Sequence, residues 1–225
     1  MTKKIVVVWF LWVFAATAVL LPVAYIGAIE VGARKGFPDA QNELGRWYDQ
    51  GIWLHTSNQR EAAIWYSKAA EKDNAKAQYN LGLLMEAQRD YLRAAYWYTR
   101  AAIQNFSPAQ HNLAVMYVKG LGVPQNLQRA NYLFEKAAQN ENELSQFSLG
   151  IAYAKGEGVA IDHSKAAYWV YQSAKRGFAP AQGYLAILYV QGLGVKKDFD
   201  EALTWAEKAY ANGDKRAIET IKLIE

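Results

Sequence analysis

The sequence predicts an all-α protein: about five helix-hairpin repeats stacked over residues 36–225, preceded by one N-terminal transmembrane helix within residues 1–35. Three observations predict it. Gly-x-Gly-Val recurs as Gly120-Leu121-Gly122-Val123, Gly156-Glu157-Gly158-Val159 and Gly192-Leu193-Gly194-Val195, 36 residues apart. A fixed period of roughly 20 to 50 residues marks stacked supersecondary units. Small and bulky residues on both sides of each copy fall at helical spacing, and an uncharged run from Ile5 to Ile29 opens the chain.

Lys3 and Lys4 precede that run, and Glu30, Arg34 and Lys35 close it. Its 25 residues, at about 1.5 Å each in a helix, exceed the roughly 30 Å of a hydrocarbon core. Trp9 and Trp12 lie toward one end and Tyr25 toward the other, as an interfacial belt places them, and lipid-embedded helices tolerate a proline such as Pro22. A cleaved secretory signal has a shorter apolar core, roughly 7 to 15 residues, and Ile26-Gly27-Ala28 lacks the small first residue of a cleavage site. The expectation is therefore an uncleaved single-pass anchor in the inner membrane, with secretion after cleavage as the alternative. No cysteine exists to carry a lipid. Basic residues flank both ends, and the expected orientation puts the short N-terminus inside and the repeats in the periplasm; repeats facing the cytoplasm are the alternative.

Gly36-Phe37-Pro38 punctuates the passage to the first repeat, with Pro38 suited to a first helical turn. The first helices are anchored by Leu44, Leu81, Leu113, Leu149, Leu185 and Ile221, spaced 37, 32, 36, 36 and 36. Ala114, Gly150 and Ala186 follow three of these anchors and leave room for a neighbouring helix. Tyr117, Tyr153 and Tyr189 lie one turn on, on the anchor's own face. The second helices carry Ala62, Ala94, Ala130, Ala166 and Ala202, each with a bulky residue three positions later. Four of these, Trp65, Trp97, Trp169 and Trp205, recur in phase and are expected to be the main packing residues, each offering about 150 to 250 Å² of buriable surface. Ser107 before Pro108 reads as a helix cap and first turn; Asp162 and Asp198 sit where second helices begin, and Asn105, Gly177 and Gly213 where they end. The second unit lacks the Gly-x-Gly loop and is joined tightly across Gln88-Arg89-Asp90. A hairpin of some 30 residues buries too little apolar surface to offset its ordering entropy, so each must lean on the next.

These residues resemble the Sel-one-like repeat (SLR), a relative of the tetratricopeptide repeat. The fourth unit carries the pattern most fully, in Leu149-Gly150, Tyr153, Gly156-Glu157-Gly158-Val159, Asp162, Lys165-Ala166 and Tyr168-Trp169. The resemblance covers about residues 36–225; the first unit departs from it, with Ile52-Trp53-Leu54 after Gly51. It implies an α/α right-handed superhelical solenoid that acts as a scaffold or adaptor for protein complexes, often in bacterial envelope or signalling systems, and it does not imply catalysis. In the tetratricopeptide relatives the first helices line a concave face on which ligands lie. Carried over, the positions two before and two after each anchor point into that groove: Asn42 and Arg46 at a polar end, then Tyr79, Leu83, His111, Val115, Phe147, Ile151, Gly183 and Ile187. The apolar members suggest an amphipathic helix or hydrophobic peptide from a membrane or envelope protein, docked helix-in-groove. The alternative is that they only pack against adjacent first helices.

Other functions find less in the chain. Of 25 Lys plus Arg and 21 Asp plus Glu, residues 1–35 hold four basic and one acidic, leaving 21 against 20 in the repeats. A nucleic-acid partner needs a clustered basic face and is not expected. His55, His111 and His163 form no metal-ligating i, i+4 pair, and a dinucleotide loop needs a strand where a helix precedes each Gly-x-Gly-Val, so no metal, cofactor or catalytic residue is assigned. An envelope enzyme or ligand-binding protein acting on β-lactams or peptidoglycan is a second reading, drawn from secreted members of the family resembled; those are cysteine-rich and this chain is not. A third makes the chain an assembly factor acting through its transmembrane helix, whose Trp9, Trp12, Ala15, Ala16 and Ala18 permit helix contacts.

Overall fold

A computed structural model describes residues 23–224, and among these every regular element is a helix. Helix α1 runs over residues 23–34. Then follow α2 (Pro38–Gln50), α3 (Gln59–Ala70), α4 (Ala75–Ala87), α5 (Tyr91–Ile103), α6 (Ser107–Lys119), α7 (Leu127–Gln139), α8 (Glu143–Lys155), α9 (His163–Lys175), α10 (Ala179–Gln191), α11 (Phe199–Ala211) and α12 (Ala217–Ile224). The even-numbered helices carry the anchors and the odd-numbered ones from α3 carry the alanines, so the hairpins and the terminal half-hairpin fall where the spacing places them. The chain divides into two compact units, residues 1–84 and 85–225.

In unit 2 each helix packs on its sequence neighbours. Leu113, Leu149 and Leu185 are buried, as are Ala94, Ala130, Ala166 and Ala202. The tryptophans are a correction. Trp97 and Trp169, and Trp65 in unit 1, are only half-buried; Trp205 alone reaches the core. The closed position is one residue further on, occupied by Tyr66, Tyr98, Phe134, Val170 and Ala206. The reason is helical geometry: a residue four after the alanine lies almost directly over it, whereas one three after is rotated toward the edge of the interface. The edge rings take cations, with Lys68 over Trp65 at 4.1 Å and Arg100 over Trp97 at 5.6 Å, and the outer side of Trp205 likewise carries Lys208 at 4.3 Å.

Space for the closed position comes from the small residue after each anchor. A β-carbon on Gly45 would lie 2.6 Å from the Tyr66 ring, and one on Gly150 would lie 2.7 Å from Val170 Cγ2. The same pair of positions is filled by Ala114 and Phe134 in the α6–α7 hairpin and by Ala186 and Ala206 in the α10–α11 hairpin.

Helix ends are set by sequence-local chemistry. Asn58, Asp90, Asn126, Asp162 and Asp198 cap the second helices by accepting backbone N–H bonds. Ser107 does not cap α6; Phe106 holds that position and Ser107 opens the helix, with Pro108 in its first turn. Asn105 is left-handed at φ 60, and Gly177 and Gly213 likewise have positive φ.

The Gly-x-Gly-Val turn does more than reverse the chain. Its first glycine is the left-handed cap, φ 67, 74 and 70 at Gly120, Gly156 and Gly192. Its second also has positive φ, and a β-carbon there would strike the start of the preceding second helix: Tyr91 at Gly122, Leu127 at Gly158, His163 at Gly194. The loop is therefore an inter-hairpin contact, and only glycine fits it.

A buried glutamine recurs three residues before each of the five anchor leucines. Nε2 of Gln41, Gln78, Gln110, Gln146 and Gln182 donates to the carbonyl eight residues earlier, at 3.0 to 3.2 Å, supplying the last turn of the preceding helix with a partner it would otherwise lack.

In unit 1, α1 packs onto the first hairpin through Ile26, Ile29 and Ala33, against Ala40, Leu44 and Trp47. The last residues of the apolar run thus belong to the repeat core. Residues 5–22 of the expected membrane segment lie outside the described residues, and among the described residues no helix is long and apolar enough to cross a membrane.

Candidate functional site

Helices α6, α8 and α10 place residues at the same repeat position on one flank, because each is fixed to its partner helix by its anchor leucine. Val115, Phe147 and Ile151 line one cavity of about 340 Å³ with Val118, Leu127 and Phe134, and Lys119, Asn131 and Glu157 at its rim. Asn131 Nδ2 donates to the Glu157 carbonyl at 2.6 Å, tying α7 to the following turn, and Lys155 lies 3.7 Å from the exposed Glu157 carboxylate. A second cavity of about 330 Å³ is lined by Phe147, Gly183, Tyr184 and Ile187, together with Asp214, Arg216 and Thr220 at the start of α12. Phe147 forms a wall of both. Its ring meets Phe178 at 5.5 Å and Tyr184 at 6.1 Å, both edge-on, which leaves its remaining edge to either cavity. Arg216 Nε donates to Asp214 Oδ1 at 2.9 Å and holds that carboxyl below the usual carboxylate range.

The other positions read from the sequence have different surroundings. His111 hydrogen-bonds through Nδ1 to Ser145 Oγ at 2.8 Å and its ring lies 5.4 Å from Phe134. Burial pushes its imidazole down to about 4, with Glu143 opposing, so at neutral pH it is an uncharged bridge between α6 and α8. Gly183 is buried and contributes backbone alone. In unit 1, Asn42 is buried and its Oδ1 accepts from Asn80 Nδ2 at 2.9 Å. Arg46 donates from Nε to Glu43 Oε2 at 3.1 Å and draws that carboxyl below its ordinary range, while Trp47 Nε1 donates to the same carboxylate at 3.0 Å. Those two polar residues are thus engaged within the unit. Tyr79 is half-buried and Leu83 exposed, both on α4.

Several lining residues escaped the sequence reading. Val118 is one turn from Val115 and could have been found by helical spacing; Phe134 was hidden by the weight placed on the tryptophan position. Asp214 falls one period after Phe178 and two after Asn142, the caps of α10 and α8, so spacing could have placed it, but not its pairing with Arg216. Among the described residues no group of three or more His, Cys, Asp or Glu could hold a metal ion.

Repeated α-hairpins with an apolar flank define the class: an α/α repeat protein. The sequence matches the Sel1 repeat at residues 38–74, 75–106, 107–142, 144–178 and 179–214, and the chain belongs to that family. A Sel1 repeat protein from Oxalobacter formigenes superposes with a TM-score of 0.76 at 34% identity, over 83% of this chain and 76% of that one. The protective antigen c5321 of uropathogenic Escherichia coli strains, which displays an SLR fold, gives 0.82 at 33% identity over 87% of this chain, which spans 42% of that protein. YrrB, a TPR protein with an unusual peptide-binding site, shares the fold with a TM-score of 0.53 at 18% identity, over 88% of this chain and 98% of that one. No curated protein sequence gives a significant match. Repeats of this kind generally mediate protein–protein interaction.

Proposed function

We propose that the chain is a membrane-tethered adaptor whose α6, α8 and α10 flank takes an apolar peptide or amphipathic helix from another membrane or envelope protein. The observation that carries this reading is the pair of open cavities sharing Phe147, with Val115, Ile151 and Ile187 along the same strip. Each cavity has a size suited to one or two apolar side chains and a polar rim that fixes orientation. A helix laid across the strip presents anchors at i, i+3/i+4 and i+7, the spacing that such grooves accept. YrrB lends fold-level support only, as a protein in which a peptide site has been built on this architecture.

The tether is the uncharged run that begins at Ile5, and the slight excess of positive charge at Lys3 and Lys4 with the amino terminus favours repeats on the periplasmic face. Protease treatment of spheroplasts checks the side: digestion of the repeats in intact spheroplasts supports the periplasmic placement and full protection refutes it.

The groove is tested by a photo-crosslinking residue at Ile151 in the membrane-bound full chain, with one at exposed Ile161 as control, followed by identification of the crosslinked peptide. A defined apolar segment captured from Ile151 alone supports the reading. Equal capture at both positions, or none at Ile151, refutes it.

A further inference from the structure

Unit 1 departs from the other hairpins at the turn between its two helices, where Gly51-Ile52-Trp53-Leu54 replaces Gly-x-Gly-Val. Gly51 keeps the left-handed cap at φ 66, but the residue in the second glycine's place is Trp53, itself left-handed at φ 57. A bulky side chain in that region costs on the order of 1 to 2 kcal/mol, and the turn keeps it with one side of the Trp53 ring edge-on to the buried Trp47 ring at 6.3 Å and the rest exposed. The result is a small apolar projection, with Leu54 87% exposed and Trp53 49% exposed.

Its position relative to α1 gives it meaning. The Trp53 ring lies 6.3 Å from the Tyr25 ring. Tyr25 OH donates to Glu43 Oε1 at 3.4 Å, and Ile26 and Ile29 behind it are packed into the core, so α1 is bound to the hairpin from Tyr25 onward. Ahead of Tyr25 the sequence has an uncharged stretch, from Ile5 to Ala24. About 20 residues at about 1.5 Å each match the roughly 30 Å of a hydrocarbon core without remainder. If that stretch enters a bilayer, its boundary falls at Tyr25, beside the Trp53 turn.

We propose that Trp53 and Leu54, with Tyr25, rest in the headgroup boundary of the bilayer and hold the first hairpin against the lipid. Trp and Tyr rings favour that depth because one end is apolar and the other polar; Tyr25 already has its hydroxyl satisfied by Glu43, and Leu54 supplies the acyl-facing side chain. The proposal rests on the tether reading above and adds the contact surface and its lipid occupant.

The chain has no cysteine, so Leu54→Cys and, in separate protein, Glu71→Cys can each carry a single environment-sensitive fluorophore. Glu71 is exposed at the end of α3, next to Lys72, whose Nζ donates to the Gly36 carbonyl at the far end of α1. The full-length protein is reconstituted into vesicles of phosphatidylethanolamine and phosphatidylglycerol containing lipids that carry a quenching nitroxide at headgroup or shallow acyl depth, and recovery by flotation is measured alongside. The expected result is flotation of both proteins with the label at 54 quenched at least twofold more than the label at 71. Flotation with no quenching at 54, or equal quenching at both sites, overturns the proposal while leaving the tether intact. Failure to float overturns the tether and the proposal together. Shielding of the 54 label from aqueous iodide without lipid quenching marks a protein at this turn and also overturns it.

Discussion

At Gly194 a β-carbon would collide with the carbonyl oxygen of His163 while φ is held at +72°, whereas at Gly177 the angle is also positive, +92°, but nothing lies within 4 Å. The two glycines separate strain from collision. Gly177→Ala is expected to cost about 1 kcal/mol and Gly194→Ala about 3 kcal/mol or more. Urea unfolding of both variants checks the order; similar losses would remove the inter-hairpin role of the second glycine. His111 gives a second residue-scale prediction. Burial lowers its imidazole to about 4 from an ordinary 6.5, so the neutral form is the folded one. The unfolded chain binds the proton first as pH falls, so this contribution is complete above about pH 6.5 and is lost progressively down to about pH 4. Its size is on the order of 3 kcal/mol. His111→Gln should flatten the stability profile between those limits relative to the native chain, read from urea midpoints at pH 7, 5.5 and 4.5; parallel profiles contradict the burial argument. Periodicity in the sequence located both residues, but not their surroundings: a histidine two before an anchor can face solvent or a neighbouring helix, and only the Ser145 and Phe134 contacts decide.

Between helices, packing depends on matched pairs. Gly150 faces Val170 closely enough that a methyl group must displace it, while Ala186 and Ala206 make the equivalent pair with the bulk redistributed. Gly150→Ala should destabilise by about 1 to 3 kcal/mol as an overpacked core position, and adding Val170→Ala should recover part of that loss. A double-mutant cycle in urea measures it; strict additivity would show the two residues uncoupled. The element pattern itself was plain in the sequence, because anchors, alanines and Asx caps all repeat near 36 residues and each has a local physical cause. The tryptophan misassignment shows where that legibility ends. Recurrence in phase proves a shared environment, but not a closed one, and a one-residue difference along a helix rotates a side chain by about 100° from core to edge. The glutamines at 41, 78, 110, 146 and 182 were equally periodic and passed unnoticed, since a polar residue draws attention to solvent and these donate to buried helix ends.

On the scale of the whole molecule, the apolar strip on α6, α8 and α10, with its two cavities, is the surface on which the proposed recognition rests. Val115, Phe147, Ile151 and Ile187 were legible as a set because a 36-residue repeat returns the same helix face. Whether such residues fill a seam or leave it open depends on the size of Leu127, Phe134 and Tyr184 around them, which no spacing encodes. The most direct measurement is the affinity of the intact chain for the segment crosslinked at Ile151, made as a synthetic peptide, compared with the Phe147→Asp/Ile151→Asp variant. Placing two carboxylates in a groove that desolvates its ligand is expected to weaken binding at least 30-fold, about 2 kcal/mol, with helical content and cooperative unfolding retained. A variant that stays folded and binds within threefold of the native chain would contradict the groove as the site of recognition.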